Sequence, residues 1–404
     1  HGAGLLGRPR DIFVQQTVAR LARVVRMADS ADGVIDEGIG PMIATPIMRW
    51  LKEIDGPIGE FNQTVVLQAP GGWSLTVPEP GTVNAAECLQ TVDVLTDEAV
   101  VAARSRLNPA AGMMLSGLWV TTTSQLVLVV HHLAVDGVSW RILLEDLTIA
   151  STQLRGGQEV LLPPAGTSFQ RWSERLAEHA RHPDVVRQAD AWRQVGSIAS
   201  SLAAPQPDED TFATAGYLTE FLDAETTHML LGEVPAAFHA GVHEILLIAF
   251  ALAWAQHLGT GGAPIAIDVE GHGRQEELTG RDGAADRSVD LSRTVGWFTT
   301  KYPVSLAVGG LRWTQVVAGD AALGAVIKEA KEQLRALPDG LTYGLLRYLN
   351  PDVDLPESDP AIGFNYLGRL GAPAAYASGD VWRFSQDGLS LPGAAGAMPI
   401  ALPH

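Results

Sequence analysis

Two adjacent histidines and a turn-forming pair stand together in this chain of 404 residues, in the run His131-His132-Leu133-Ala134-Val135-Asp136-Gly137. A second run sets a carboxylate ahead of a glycine turn, Glu270-Gly271-His272-Gly273-Arg274. Imidazole and carboxylate groups exchange protons near neutral pH when their surroundings tune them. General acid/base chemistry is therefore the first expectation. Metal binding is the rival. An extended strand aims neighbouring side chains at opposite faces, so His131 and His132 cannot converge on one ion. No HExxH occurs, and His239 and His243 flank Ala240-Gly241, which reads as a loop-to-helix junction. No metal site is expected.

The surrounding patterns say what positions these groups. The apolar run Leu126 to Val130 reads as a strand, and Trp140 to Leu154 as an amphipathic helix. The expected order is strand, tight loop, helix, with His131 packed inside and His132 facing a cleft. Asp136-Gly137 supplies turn chemistry and a helix cap. Pro264 to Val269 alternates like a strand and would bring Glu270 to a cleft edge. Glu244 to His257 is apolar on nearly all sides, as in a buried helix, and Thr314 to Leu337 reads as one further helix stopped by Pro338. Gly363 to Leu367 reads as a short strand. Pro9 to Arg26 reads as an amphipathic helix, followed by an acidic, glycine-rich linker from Met27 to Pro41. A proline- and acid-rich stretch, Ala203 to Asp210, marks a boundary. Strands alternating with long helices predict an α/β class.

Composition narrows the function. Hydrophobic residues make up 46% and charged residues 18%, enough for a large core. A net charge of −18 argues against nucleic acid or an anionic membrane as the main partner. Cys88 is the single cysteine, which excludes an intrachain disulfide and suits a reducing, cytoplasmic setting. No apolar stretch reaches membrane-spanning length. The four lysines, Lys52, Lys301, Lys328 and Lys331, lie in no recognisable pyridoxal motif.

HHxxxDG resembles the signature of the condensation-domain superfamily of nonribosomal peptide synthetases. Four further segments resemble one branch, the epimerization domains: Glu270 to Arg274 (EGHGR), Arg293 to Thr299 (RTVGWFT), Tyr343 to Leu349 (YGLLRYL) and Phe364 to Gly368 (FNYLG). Thr45-Pro46-Ile47 and Phe61-Asn62-Gln63 fit the opening of such a domain. HHxxxDG alone is shared with condensation and acyltransfer relatives. All five motifs in order, over Pro41 to His404, are specific. Asp11-Ile12-Phe13 and Gln16 to Ala19 resemble the final helix of a carrier-protein domain, whose GGxS-type motif does not occur here. Family members continue past the part matching Pro399 to His404 with an LEVNA-like strand.

The resemblance implies a fold of two chloramphenicol acetyltransferase-like subdomains in a V-shaped pseudodimer with a central active-site tunnel. The implied domains are a carrier remnant over residues 1–28, a linker over 29–41, an N-terminal subdomain over 42–205 and a C-terminal subdomain over 206–404, whose final elements are missing. The implied reaction is L-to-D epimerization at Cα of an aminoacyl or peptidyl thioester. The substrate would arrive on the 4′-phosphopantetheine of an upstream carrier, with other synthetase domains, such as a downstream condensation domain, as partners and no cofactor of the domain's own. The single cysteine rules out a cysteine pair, leaving a His/carboxylate pair. His132 and Glu270 are expected to flank Cα, with Glu270 removing the L-face proton. His132 would return a proton or hold the enolate oxygen. Tyr366 is a candidate proton shuttle, and Asn365 would position the intermediate. His131, Gly137 and His272 read as structural, and Asp136 as an ion-pair partner of Arg274 that holds the loop. Two other readings share the fold: a condensation domain forming a peptide bond, and a non-catalytic recruitment module.

Overall fold

The structure is a computed structural model. It describes residues 42–53, 61–68, 85–198, most of 202–276, 289–368 except 357–358, and 382–384, together with 5–6 and 26–27. The chain divides into two units, His1–Glu37 and Gly38–His404. In the first, β1 (Leu5–Leu6) pairs antiparallel with β2 (Arg26–Met27). Arg26, expected at the end of a helix, is thus a strand residue. The rest of the carrier-like segment, Pro9 to Val25, lies outside the described residues, as does the linker from Ala28 to Pro41.

Among the described residues the second unit holds two sheets. In the five-stranded sheet the order is β10-β3-β6-β5-β4. Its strands are β3 (Asn62–Gln68), β4 (Leu89–Val92), β5 (Leu115–Val120), β6 (Gln125–His131) and β10 (Arg383–Phe384). β6 is central and packs on both faces, which explains its unbroken apolar run. Val127 and Val129 join Leu118 and Val120 against Val100 and Ala103 of the helix Asp97–Arg104. Leu126 and Leu128 turn the other way, towards Leu144 and Leu147 of the helix Gly137–Arg155. Alternation along the strand thus feeds two helical layers.

The second sheet has the order β8-β7-β9. Its strands are β7 (Ile265–Gly271), β8 (Thr300–Leu306) and β9 (Gly363–Phe364). Ile265, Ile267 and Val269 pack with Val304 and Leu306 against Leu247, Ile248 and Ala251 of the helix Val242–Leu258 and against Ala330. Asp268 and Glu270 occupy the alternate positions of β7 and so lie on its other face. Sequence placed Glu270 after the strand; the ladder instead runs through Gly271, pairing Glu270 with Lys301.

The helix expected over Thr314 to Leu337 is two helices, Trp313–Val317 and Ala321–Ala336. Gly319 at φ +63 breaks the run, and Asp320 caps the second helix by accepting from Ala322 N–H. The helix Val242–Leu258 is buried along one side, while Ala249 and Ala253 are exposed. His239, at φ 49, and Gly241 form the expected junction before it. Trp172, Leu176 and Trp192 share a core with Leu291, Phe298, Leu341 and Leu345, so residues on both sides of the expected boundary near 205 pack together.

Gly273 has φ +66, and a Cβ there would stand 1.7 Å from the Phe298 carbonyl oxygen. We expect Gly273→Ala to lose at least the roughly 1–3 kcal/mol of backbone strain in denaturant unfolding. An unchanged midpoint would contradict this close approach.

Candidate active site

His131 closes β6, and His132 opens a single 3-10 turn, His132–Ala134. Both rings are buried, at 0% and 4% exposure. His131 is packed as expected; the cleft exposure expected of His132 is a correction. Its ring is stacked on Phe61 (centroids 4.8 Å, 9° between planes) and lies 4.7 Å from Trp297. Its backbone N–H donates to the Phe61 carbonyl at 3.0 Å. Burial pushes the imidazole down to about 4, outweighing nearby backbone carbonyls and the Asp136 charge. His132 is therefore neutral near pH 7.

Asp136 caps the helix that starts at Gly137, accepting the Ser139 N–H at 2.7 Å. Its ion-pair partner is Arg274, whose Nη2 lies 3.1 Å from Oδ1. Both side chains are at least nine-tenths buried. Hydrogen bonds surround most of the pair, while the buried Arg274 Nε–H has no partner among the described residues. Arg274 also donates to the carbonyls of Leu291 (2.9 Å) and Thr294 (2.7 Å) and stacks over Phe298 at 3.9 Å. The Phe298 N–H donates to Asp136 Oδ2 at 3.2 Å. Ser139 Oγ accepts the Gly296 N–H at 3.1 Å. The expected ion pair is thus present, and the segment Arg293 to Thr299 is stitched to the HHxxxDG loop. His132 lies four residues before Asp136, and Glu270 four before Arg274, so one buried pair ties the loop after His132 to the turn after Glu270. His272 is a turn residue whose Nδ1 accepts the Arg274 N–H at 3.1 Å.

Glu270 is half-buried, and Asn365 Nδ2 donates to its Oε2 at 2.8 Å. These two expected site residues therefore meet. Burial and the neighbouring Asp268 carboxylate push Glu270 up to about 7, against the pull of Lys301. Tyr366 is half-buried. Among the described residues, no hydrogen bond links it to Glu270 or His132, nor His132 to Glu270.

Sequence reading missed the charged network beside Glu270. Lys301 Nζ contacts Asp268 and reaches Asp359 at 2.8 Å. Asp359 also pairs with Arg347 and accepts the Trp50 Nε1–H at 3.2 Å. Burial pushes Asp268 up to about 6 despite Lys301. The one signal available was Arg347, a charge within the apolar YGLLRYL run. Gln63 was also missed: its amide lies between His132 and Trp140. Arg274 further lines a cleft of about 720 Å³ with His179, His182, Gln188 and Asp339, bordered by neither His132 nor Glu270. Among the described residues no group of three or more His, Cys, Asp or Glu is arranged to hold a metal, and no single helix is long and apolar enough to cross a membrane.

Comparison with known proteins gives this geometry a setting. The Condensation domain family matches residues 113–390. Chondramide synthase cmdD of Chondromyces crocatus is 35% identical over 421 residues, covering 92% of this chain and 10% of its own length. Bacitracin synthase 3 of Bacillus licheniformis is 33% identical over 293 residues, covering 71% of this chain and 4% of its own length. The chain thus spans a tenth or less of the length of these curated relatives. A crystal structure of the epimerization domain from the third module of tyrocidine synthetase B superposes with a TM-score of 0.71 at 26% identity, covering 89% of this chain and 85% of that one. The two-subdomain α/β fold agrees with this likeness.

The Glu270 environment has a consequence independent of any activity. Its folded-state proton affinity, about 7, exceeds the ordinary 4.5. As pH rises between these values, the folded protein must release a proton that it holds more tightly than the unfolded chain does, so stability falls. Glu270→Gln has no such proton. In urea unfolding it should match the parent near pH ~4 and exceed it by about 3 kcal/mol near pH ~8. A difference that does not change with pH would refute the raised affinity.

Proposed function

Since this chain belongs to the condensation-domain family, we propose that it is an epimerization domain, inverting Cα of an aminoacyl or peptidyl thioester presented on a carrier-bound phosphopantetheine. The observation that carries the reading is the Glu270 carboxyl: half-buried, poised near neutral pH, held by Asn365, and at the end of a strand whose following turn is tied by Arg274 to the loop of His132. A general base works best when its proton affinity lies near the working pH. The likeness to a tyrocidine synthetase epimerization domain points the same way. The carrier, its neighbouring synthetase domains and a cytoplasmic setting belong to the same proposal.

The chemistry follows from the substrate. A thioester carbonyl accepts little resonance from sulfur, so its α-proton is more acidic than that of an ester or amide. Ionised Glu270 takes this proton from the L face, and the electron pair moves onto the carbonyl oxygen as an enolate. Return of a proton to the opposite face gives the D centre and leaves no net change in protons. His132, held neutral by burial, offers an N–H to the enolate oxygen, or takes up a solvent proton and returns it to the opposite face as imidazolium, after which protonated Glu270 releases its proton to solvent. Positioned acid/base groups typically contribute about 10²–10⁴-fold each. Asn365 keeps the Glu270 carboxylate in place. Tyr366 stands nearby in sequence as a shuttle.

The test is α-proton exchange in D₂O. A carrier loaded with an L-aminoacyl or peptidyl thioester is incubated with the protein, hydrolysed and resolved by chiral separation with mass detection. Deuterated D product is expected, with Glu270→Gln slowed at least ~10²-fold. The two roles for His132 separate in His132→Ala. Exchange with retained L configuration marks it as the proton-returning group; loss of all exchange marks it as the holder of the enolate oxygen. No exchange with several substrates, by protein shown to be folded, overturns the proposal. Peptide bond formation in the same samples would then assign a condensation domain, and carrier binding without turnover a recruitment module.

A further inference from the structure

Gln63 sits between two aromatic nitrogens. Its Oε1 lies 2.6 Å from Trp140 Nε1, and its Nε2 lies 2.8 Å from His132 Nε2. An indole nitrogen can only donate, so the amide oxygen must face Trp140. The NH₂ end then faces the imidazole, and it too can only donate. His132 Nε2 must therefore be the lone-pair nitrogen, and the proton of the neutral ring resides on Nδ1. This is the one neutral arrangement that satisfies both the indole and the amide, and it leaves the buried Nδ1–H without a hydrogen-bond partner among the described residues. The sheet builds this contact. Gln63 on β3 pairs with Val130 on β6, two residues before His132, which puts Gln63 on the side of the sheet where Val130 and Trp140 pack together. Phe61, two residues earlier on the same strand segment, stacks on the ring and limits its rotation.

We propose that Gln63 is a positioning residue that fixes His132 in the Nδ1–H tautomer, with its own orientation fixed in turn by Trp140. The consequence is that His132 keeps its lone pair at Nε2, sheltered by a neutral donor. The charged groups facing the ring agree. Asp136 favours a protonated ring and His131 opposes it, while burial outweighs both. A neutral amide adds no charge to tip this balance; a carboxylate in its place would. The catalytic meaning of the tautomer rests on the epimerization reading, but the tautomer does not.

The experiment is long-range ¹H–¹⁵N spectroscopy of the ¹⁵N-labelled protein, with the His132 ring identified by its loss in His132→Asn. The folded parent should show an unprotonated Nε2 and a protonated Nδ1, unchanged between roughly pH 5 and 8, where an ordinary histidine titrates. Gln63→Glu presents only acceptors. It should move the proton to Nε2 and raise the ring's titration midpoint by more than one pH unit. Gln63→Leu should leave a mixture of tautomers. A protonated Nε2 in the parent protein overturns the proposal, whether or not the variants fold. So does a Gln63→Leu spectrum identical to the parent. If the tautomer is as stated but no α-proton exchange occurs, the epimerization reading fails and this inference stands. If exchange occurs with Nε2 protonated, the reverse holds.

Discussion

The buried pair between Asp136 and Arg274 is the interaction around which the candidate site is assembled. Removing two charges from water is costly, and their attraction repays this only when the remaining hydrogen-bonding capacity is filled. Here much of it is. Asp136 accepts backbone N–H groups of Ser139 and Phe298, and Arg274 donates to two carbonyls while covering an aromatic face. The gain is registry. A helix cap in one half of the chain and a glycine turn in the other share one salt bridge, so neither loop can shift without exposing a charge. Deleting either partner would strand the other and typically cost roughly 3–5 kcal/mol. Inactivity in such a variant would therefore say nothing of proton transfer.

Two environments set apart the groups that this pair holds. The ring of His132 is enclosed by Phe61 and Trp297, and burial favours its neutral form. Glu270 borders charges instead. Lys301, its cross-strand partner, turns its ammonium to Asp268 and Asp359. Burial is the larger push on Glu270, and Asp268 beside it adds to that push with only part of a positive charge to offset it. Pushing two titratable groups apart in this way separates acid and base roles. The Asp268–Lys301–Asp359–Arg347 network is thus part of the electrostatics of the site as well as of its packing.

Much of this was legible in one dimension, for identifiable reasons. The HHxxxDG run carries its own local structure, a strand end and a cap, and the run Glu270 to Arg274 carries a positive-φ glycine that no other residue replaces easily. The Asp136–Arg274 pair could be named because both residues sit in motifs. Local breaks were harder. Gly319 interrupts an apolar period that otherwise reads as continuous, and the period outweighed the glycine. Long-range partners were invisible. Gln63 meets His132 because β3 and β6 are neighbours in a particular register, and Lys301 meets Asp268 because β7 and β8 are. Register is decided by which faces are buried, and no spacing along the chain encodes it. The same holds for Trp50 and Asp359, more than 300 positions apart.

The last described strand, β10, adds to the outer edge of β3, and Trp382 just before it packs beside Leu126. The end of a strand made early, at Leu67 and Gln68, is therefore paired by residues made about 315 positions later, a wait of roughly 15–60 s at ordinary rates of synthesis. Through that interval β3 presents an unpaired row of backbone donors and acceptors, open to pairing with any other extended chain nearby. During biosynthesis, this sheet waits for a piece of its edge that has yet to be made.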